Sequence, residues 1–130
     1  MPYFSQRSRE RLATCDIRLQ NLFNRVIKTY DCAILVGHRD KEAQNEAFES
    51  GHSKLQWPNG NHNKYPSMAL DVAPCPIDWD DTKRFYHFAG YVKGVAENMG
   101  YRIRWGGDWN GNNIFTDQSF NDLPHFEILN

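Results

Sequence analysis

Apolar residues recur every three or four positions through Leu12, Cys15, Leu19, Leu22, Val26 and Tyr30, which is the spacing of one helical face. Ser5 or Ser8 can cap the start of that helix. The run "CAILVG" then predicts a short buried strand ended by Gly37. Asp40 can cap a second helix through "KEAQNEAFES", which Gly51 stops. Residues 51–66 read as loop, rich in Gly, Asn, Pro and scattered polar groups. "MALDVA" alternates as a strand does and closes on the "PCP" turn. Phe85, Phe88, Val92, Val95 and Met99 predict a third helix, capped by Asp80 or Asp81 and terminated by Gly100. "YRIRW" alternates again, a long loop follows over 106–123, and "HFEIL" reads as a closing strand. The strands are short and the last two have no helix between them. The pattern therefore predicts an α+β fold, a small, largely antiparallel sheet packed against about three helices.

Composition narrows the class without changing that picture. At 130 residues the chain suits a single domain, 1–130, with one ordinary core. A 40% apolar share with 14% aromatics is that of a globular protein. A net charge of −1 with mixed signs gives no electrostatic case for binding nucleic acid or an anionic membrane. The three cysteines, Cys15, Cys32 and Cys75, are odd in number and widely spaced, so free thiols in a reducing compartment are expected. "MPYFSQRSRERL" lacks the apolar run of a signal peptide, and "CAILVG" is far too short to span a bilayer. A protein made in the cytoplasm, with no membrane insertion and acting as a monomer, is the expectation.

One residue stands out. Asp71 lies between Leu70 and Val72 in "MALDVAP", and a charge is a poor choice for a buried strand. Its side of the strand is otherwise small, Ala69 and Ala73, which leaves room for a metal or a basic partner. In "HFEIL", His125 and Glu127 point away from Phe126 and Ile128. His62 lies in the loop that leads into the first of these strands. Two imidazoles and a carboxylate are the three-ligand set of a catalytic zinc, which keeps a fourth position open. No H-E-x-x-H helix makes that case locally. His87 falls on the polar flank of the third helix, and nothing in the spacing of His38 or His52 asks for a ligand.

"HNKYPSMALDVAP" followed by "IDW", then "GGDW" and "DLPHFEI", resemble the zinc peptidases of peptidoglycan. That family holds D-alanyl-D-alanine dipeptidases and carboxypeptidases and the phage L-alanyl-D-glutamate endopeptidases. The resemblance runs from about Val36 to Leu129. It implies a fold of the Hedgehog/DD-peptidase type, bound Zn2+ and a peptidoglycan stem peptide as substrate. The family signature is S-x-H, a short spacer, A-x-D, then an acid three residues before a final H-x-E. His62, Asp71 and His125 take the ligand positions, Asp122 the acidic one, and Glu127 the glutamate after the last histidine. Two departures stand out. The usual seven-residue spacing would put Lys64 at the first ligand position, and a protonated lysine is a poor zinc ligand. "HNKYPS" therefore reads as carrying a two-residue insertion that restores His62. Gly60 stands where the family has serine, so any support the serine gives the loop is missing or replaced.

The resemblance also implies roles. Asp122 is the candidate general base and acid, although without the family a loop aspartate capping the turn before Pro124 is the plainer account. Glu127 can orient a ligand imidazole. "GHRDKEAQ" matches a G-x-R-x-x-x-x-Q stretch whose arginine approaches substrate and oxyanion, which nominates Arg39 with Gln44 in support. Its plain alternative is a surface arginine paired with Asp40 or Glu42. Asp108, Asn110, Asn112 and Asp117 alternate like the opening of a calcium loop, and some phage members bind a regulatory Ca2+ there. The glycine falls at 111 and the twelfth position holds no glutamate, so an EF-hand is excluded, and turn formation is the plainer role of these residues. The expected function is a phage endolysin that cuts the L-alanyl-D-glutamate bond, made in the host cytoplasm and reaching the wall after membrane permeabilisation. The alternatives are a D-alanyl-D-alanine carboxypeptidase or dipeptidase with the same zinc machinery, and a non-catalytic zinc-stabilised binding module.

Overall fold

The computed structural model describes residues 2–130. Four strands form one sheet: β1 (Cys32–Val36), β2 (Ala69–Pro74), β3 (Arg102–Trp105) and β4 (His125–Leu129). Their order is β1-β2-β4-β3 and every neighbouring pair is antiparallel. Four helices accompany them: α1 (Gln6–Leu12), α2 (Ile17–Val26), α3 (Lys41–Glu49) and α4 (Thr82–Asn98). The α+β reading with a small antiparallel sheet holds.

The first expected helix is in fact two. The apolar period runs on through Cys15, but the chain turns there because Asp16 N–H donates to the Ser67 carbonyl and Ser67 N–H to that of Thr14. This one-residue bridge to a segment far along the chain replaces the helical bonds. Asp16 then caps α2, its carboxylate accepting from Arg18 N–H. Ser5 caps α1 and Asp40 caps α3 through side-chain oxygens, whereas Asp81 precedes α4 without such a bond.

The core lies on one face of the sheet. Leu19, Leu22, Phe23 and Val26 of α2 and Phe88, Val92 and Ala96 of α4 pack on Ile34, Leu70, Val72, Phe126 and Ile128. The other face carries Ala69, Asp71 and Ala73 on β2 with His125 and Glu127 on β4, as period-two alternation requires. The turn Asn61–Asn63 and the loop before β4 close over it, so His125 and Glu127 are buried. Helix α3 buries Gln44 alone and stands beside this polar face.

Candidate metal centre

Asp71 and His125 are register partners on β2 and β4, so their side chains leave the sheet side by side. Asp71 Oδ1 lies 3.3 Å from His125 Nδ1. His62 arrives from the Asn61–Asn63 turn, with Nε2 3.2 Å from Asp71 Oδ1 and 3.2 Å from His125 Nδ1. The second nitrogen of each imidazole is already engaged. His62 Nδ1–H donates to the Gly37 carbonyl at 2.8 Å, and His125 Nε2–H to Glu127 Oε1 at 2.9 Å. Arg104, the register partner of Glu127 on β3, donates two bonds to Glu127 Oε2.

These outer bonds leave the lone pairs of His62 Nε2 and His125 Nδ1 aimed at each other and at Asp71. Three lone-pair donors this close repel one another unless a cation, a proton or a metal ion, stands among them. Tetrahedral zinc with bonds of about 2.0–2.1 Å sets its donors about 3.3–3.4 Å apart. The observed triangle has edges of 3.2, 3.2 and 3.3 Å, so the residues fit the metal. Among the described residues these three form the one group with metal-binding geometry. Lys64 is exposed and stands outside it.

Charge at the site agrees with that reading. Burial works against ionising Asp71, yet the charges and hydrogen bonds of His62 and His125 hold its carboxyl far below the usual range. Burial also disfavours a charged His125, but Asp71 and Glu127 outweigh it and push the imidazole up to about 9. The field that would hold a proton there is the one that attracts a cation. Glu127 is held down at about 2, burial being overcome by His125 and Arg104. Asp122 moves the other way, because burial and the Asp71 charge push its carboxyl up to about 6.

Asp122 Oδ2 lies 3.8 Å from His125 Nδ1. Its position depends on the first glycine of "GGDW". Asp122 N–H donates to the Gly106 carbonyl, and Gly106 N–H to that of His125. A Cβ on Gly106 would collide with the Asp122 carbonyl oxygen, so only glycine lets the two chains approach. Arg39 Nη2 is 3.6 Å from Asp71 Oδ2, and its Nη1–H donates to Gln44 Oε1. It pairs with neither Asp40 nor Glu42 among the described contacts. Gln44 is 1% exposed and gives its own N–H groups to Ser53 and the Leu55 carbonyl.

Three contributors were absent from the sequence reading. Asn63 donates to the Arg39 carbonyl and to Gln44, and its Oδ1 accepts from Gly60 N–H. That bond braces the turn at Gly60, where a Cβ would crowd Asn63 Oδ1. The Gly37 carbonyl and Arg104 are the others. Arg104 was open to inference, because it alternates with Trp105 in "YRIRW"; a backbone carbonyl leaves no mark in residue identity. The calcium candidates share one loop but divide. Asn110 and Asn112 both donate to Asp117, while Asp108 is buried and turns to Lys93 and Asn113 N–H. Tyr30 pairs with His87 on the surface, and His52 lies in the walls of two grooves that open beside the tripod of His62, Asp71 and His125.

The model of the phage L-alanyl-D-glutamate peptidase family matches residues 1–129. The chain belongs to this family. It is thus a peptidase of the phage endolysin type, acting on peptidoglycan. A search of curated proteins gave no significant match. Among solved structures, the L-Ala D-Glu endopeptidase ChiX of Serratia marcescens superposes with a TM-score of 0.76 at 22% identity. The match covers 98% of this peptidase and 91% of that chain, and the likeness is one of fold. No described helix of the peptidase is long and apolar enough to cross a membrane.

Proposed function

We propose that the peptidase is a zinc enzyme in which His62, Asp71 and His125 hold the metal and Asp122 and Arg39 perform the chemistry on the L-alanyl-D-glutamate bond. The observation that carries this reading is the triangle of three lone-pair donors, with each imidazole locked from behind and an acid and an arginine at its edge. Zinc in such a site polarises the scissile carbonyl and makes water nucleophilic at neutral pH. The Asp122 carboxylate takes the proton from the attacking water and returns it to the leaving D-glutamyl nitrogen as the C–N bond breaks. Arg39, held by Gln44, donates to the oxygen that becomes an oxyanion. Glu127, fixed by Arg104, keeps His125 in the tautomer that offers Nδ1.

The same proposal takes residues 1–130 as one domain acting as a monomer, made in the host cytoplasm and reaching the wall once the membrane is opened. For Ca2+, Asn110, Asn112 and Asp117 share one loop, but both asparagine amides donate to Asp117 while their oxygens accept from the Asn112 and Ile114 N–H groups, the bonding of turns. Asp108, although buried with one unpartnered oxygen, lies apart with Lys93.

Metal content is the direct test. The purified protein should carry one zinc per chain; His62→Ala should lose it, and Lys64→Ala should keep it. Loss in Lys64→Ala with retention in His62→Ala would refute the ligand set.

A further inference from the structure

Two grooves meet at the tripod and share Arg39, His52 and Asp122 in their walls. One, of about 270 Å³, runs past His62 and His125 to Lys54, Trp109 and Phe120. The other, of about 670 Å³, runs past Asp71 along Leu35 and Val36 to Trp79 and Phe85.

Trp79 is the unusual element. Its indole stacks on Phe85, with ring centres 5.2 Å apart and planes at 19°. Phe85 is 2% exposed and so anchored in the fold, yet Trp79 remains 56% exposed. A large aromatic ring held flat by a fixed neighbour, with much of its surface open at a groove leading to the metal centre, contributes little to the core and is built to be covered. What covers it follows from charge. Lys54, whose ammonium lies over the Phe120 ring, gives the smaller groove a second cation besides Arg39. The larger groove has no lysine and carries Glu46 with Asp71 and Asp122, whereas the smaller one carries Asp122 and a Glu127 already paired with Arg104.

The two halves of the substrate differ in the same sense. The L-alanine side is acylated by the lactyl group of N-acetylmuramic acid, a pyranose whose axial C–H bonds form a flat apolar face. The D-glutamate side carries a free α-carboxylate, because the stem peptide continues through the γ-carboxyl. We propose that the Trp79–Phe85 groove is the sugar-side subsite. It takes the N-acetylmuramoyl residue against the indole, and the D-glutamate carboxylate then lies on the Lys54 side. This rests on the reading of the site as an L-alanyl-D-glutamate peptidase centre, and it adds the direction in which the stem peptide runs through it.

The test uses the zinc-loaded full chain and two synthetic substrates with the same L-alanyl-γ-D-glutamyl-lysine peptide, one capped by N-acetylmuramoyl and the other by acetyl. Trp79→Ala should raise KM for the muramoyl substrate about three- to tenfold, the range of an aromatic stacking contact. Its kcat and its handling of the acetyl substrate should not change, and Trp79→Tyr should restore most of the loss. An equal KM change on both substrates, or none on the muramoyl one, overturns the proposal. A second measurement needs no turnover. N-acetylmuramoyl-L-alanine should shift the Trp79 indole N–H resonance of the wild-type protein, and N-acetyl-L-alanine should not. Equal shifts, or none, also overturn it. If the wild type releases D-glutamyl peptide from neither substrate, the proposed bond specificity fails, and the resonance titration still decides the sugar-side assignment.

Discussion

At the scale of single residues, the centre depends on what each group has behind it. His62 offers Nε2 because Nδ1 is bonded to the Gly37 carbonyl, and His125 offers Nδ1 because Nε2 is bonded to Glu127. Asp122 holds no such structural post, since its side chain faces the tripod and its backbone is braced by Gly106. Asp122→Asn should therefore keep the fold and the zinc but lower kcat by about 10²- to 10⁴-fold, the usual range for a general base. Turnover of a defined stem peptide beside metal analysis checks it, and unaltered turnover would remove Asp122 from the chemistry. Much of this was legible beforehand. Asp71 announced itself as a charge inside a buried strand, and His125 and Glu127 by sharing one face of theirs. Asn63 did not, because its work depends on a turn that brings Arg39, Gln44 and Gly60 around it.

At the scale of elements, local pattern succeeded where side-chain period and backbone pairing agree. All four strands and helices α3 and α4 follow from alternation, apolar spacing and their flanking Asp and Gly residues. It failed at Thr14–Asp16, where the apolar period continues but the backbone bonds go to Ser67. Tertiary pairing overrode helical periodicity there, and only the capping character of Asp16 hinted at the break. That cap satisfies one of the otherwise unpaired N–H groups at the start of α2. Asp16→Ala should cost about 1 kcal/mol of stability. A lower urea midpoint with unchanged slope and unchanged zinc content is the expected result.

At the scale of the whole molecule, the sheet divides two tasks between its faces. One face buries the apolar core against α2 and α4, and the other is covered by loops that bring His62 and Asp122 to Asp71 and His125. Two of the three cysteines belong to the first task. Cys15 and Cys32 are free and buried. Burial pushes the Cys15 thiol up from an ordinary 9.0 to about 11, and Cys32 shifts the same way. The native state thus favours the neutral thiol. Its contribution is whole below pH 9 and is lost as pH rises through about 11, while the unfolded chain ionises freely. The urea midpoint should fall across that window by an amount equivalent to about 3 kcal/mol for Cys15. Cys15→Ala should flatten the fall, and an identical alkaline slope in that variant would contradict the assignment.

A zinc centre of His62, Asp71 and His125 that cuts one bond of the stem peptide must lose that cleavage with its metal. Purified sacculi digested by the zinc-loaded enzyme, by the same enzyme after chelation, and by the chelated enzyme with zinc restored are compared by mass spectrometry. The predicted result is new N-terminal D-glutamate in the first and third digests and none in the second. Release of D-alanine, or cleavage that persists after chelation, would contradict it.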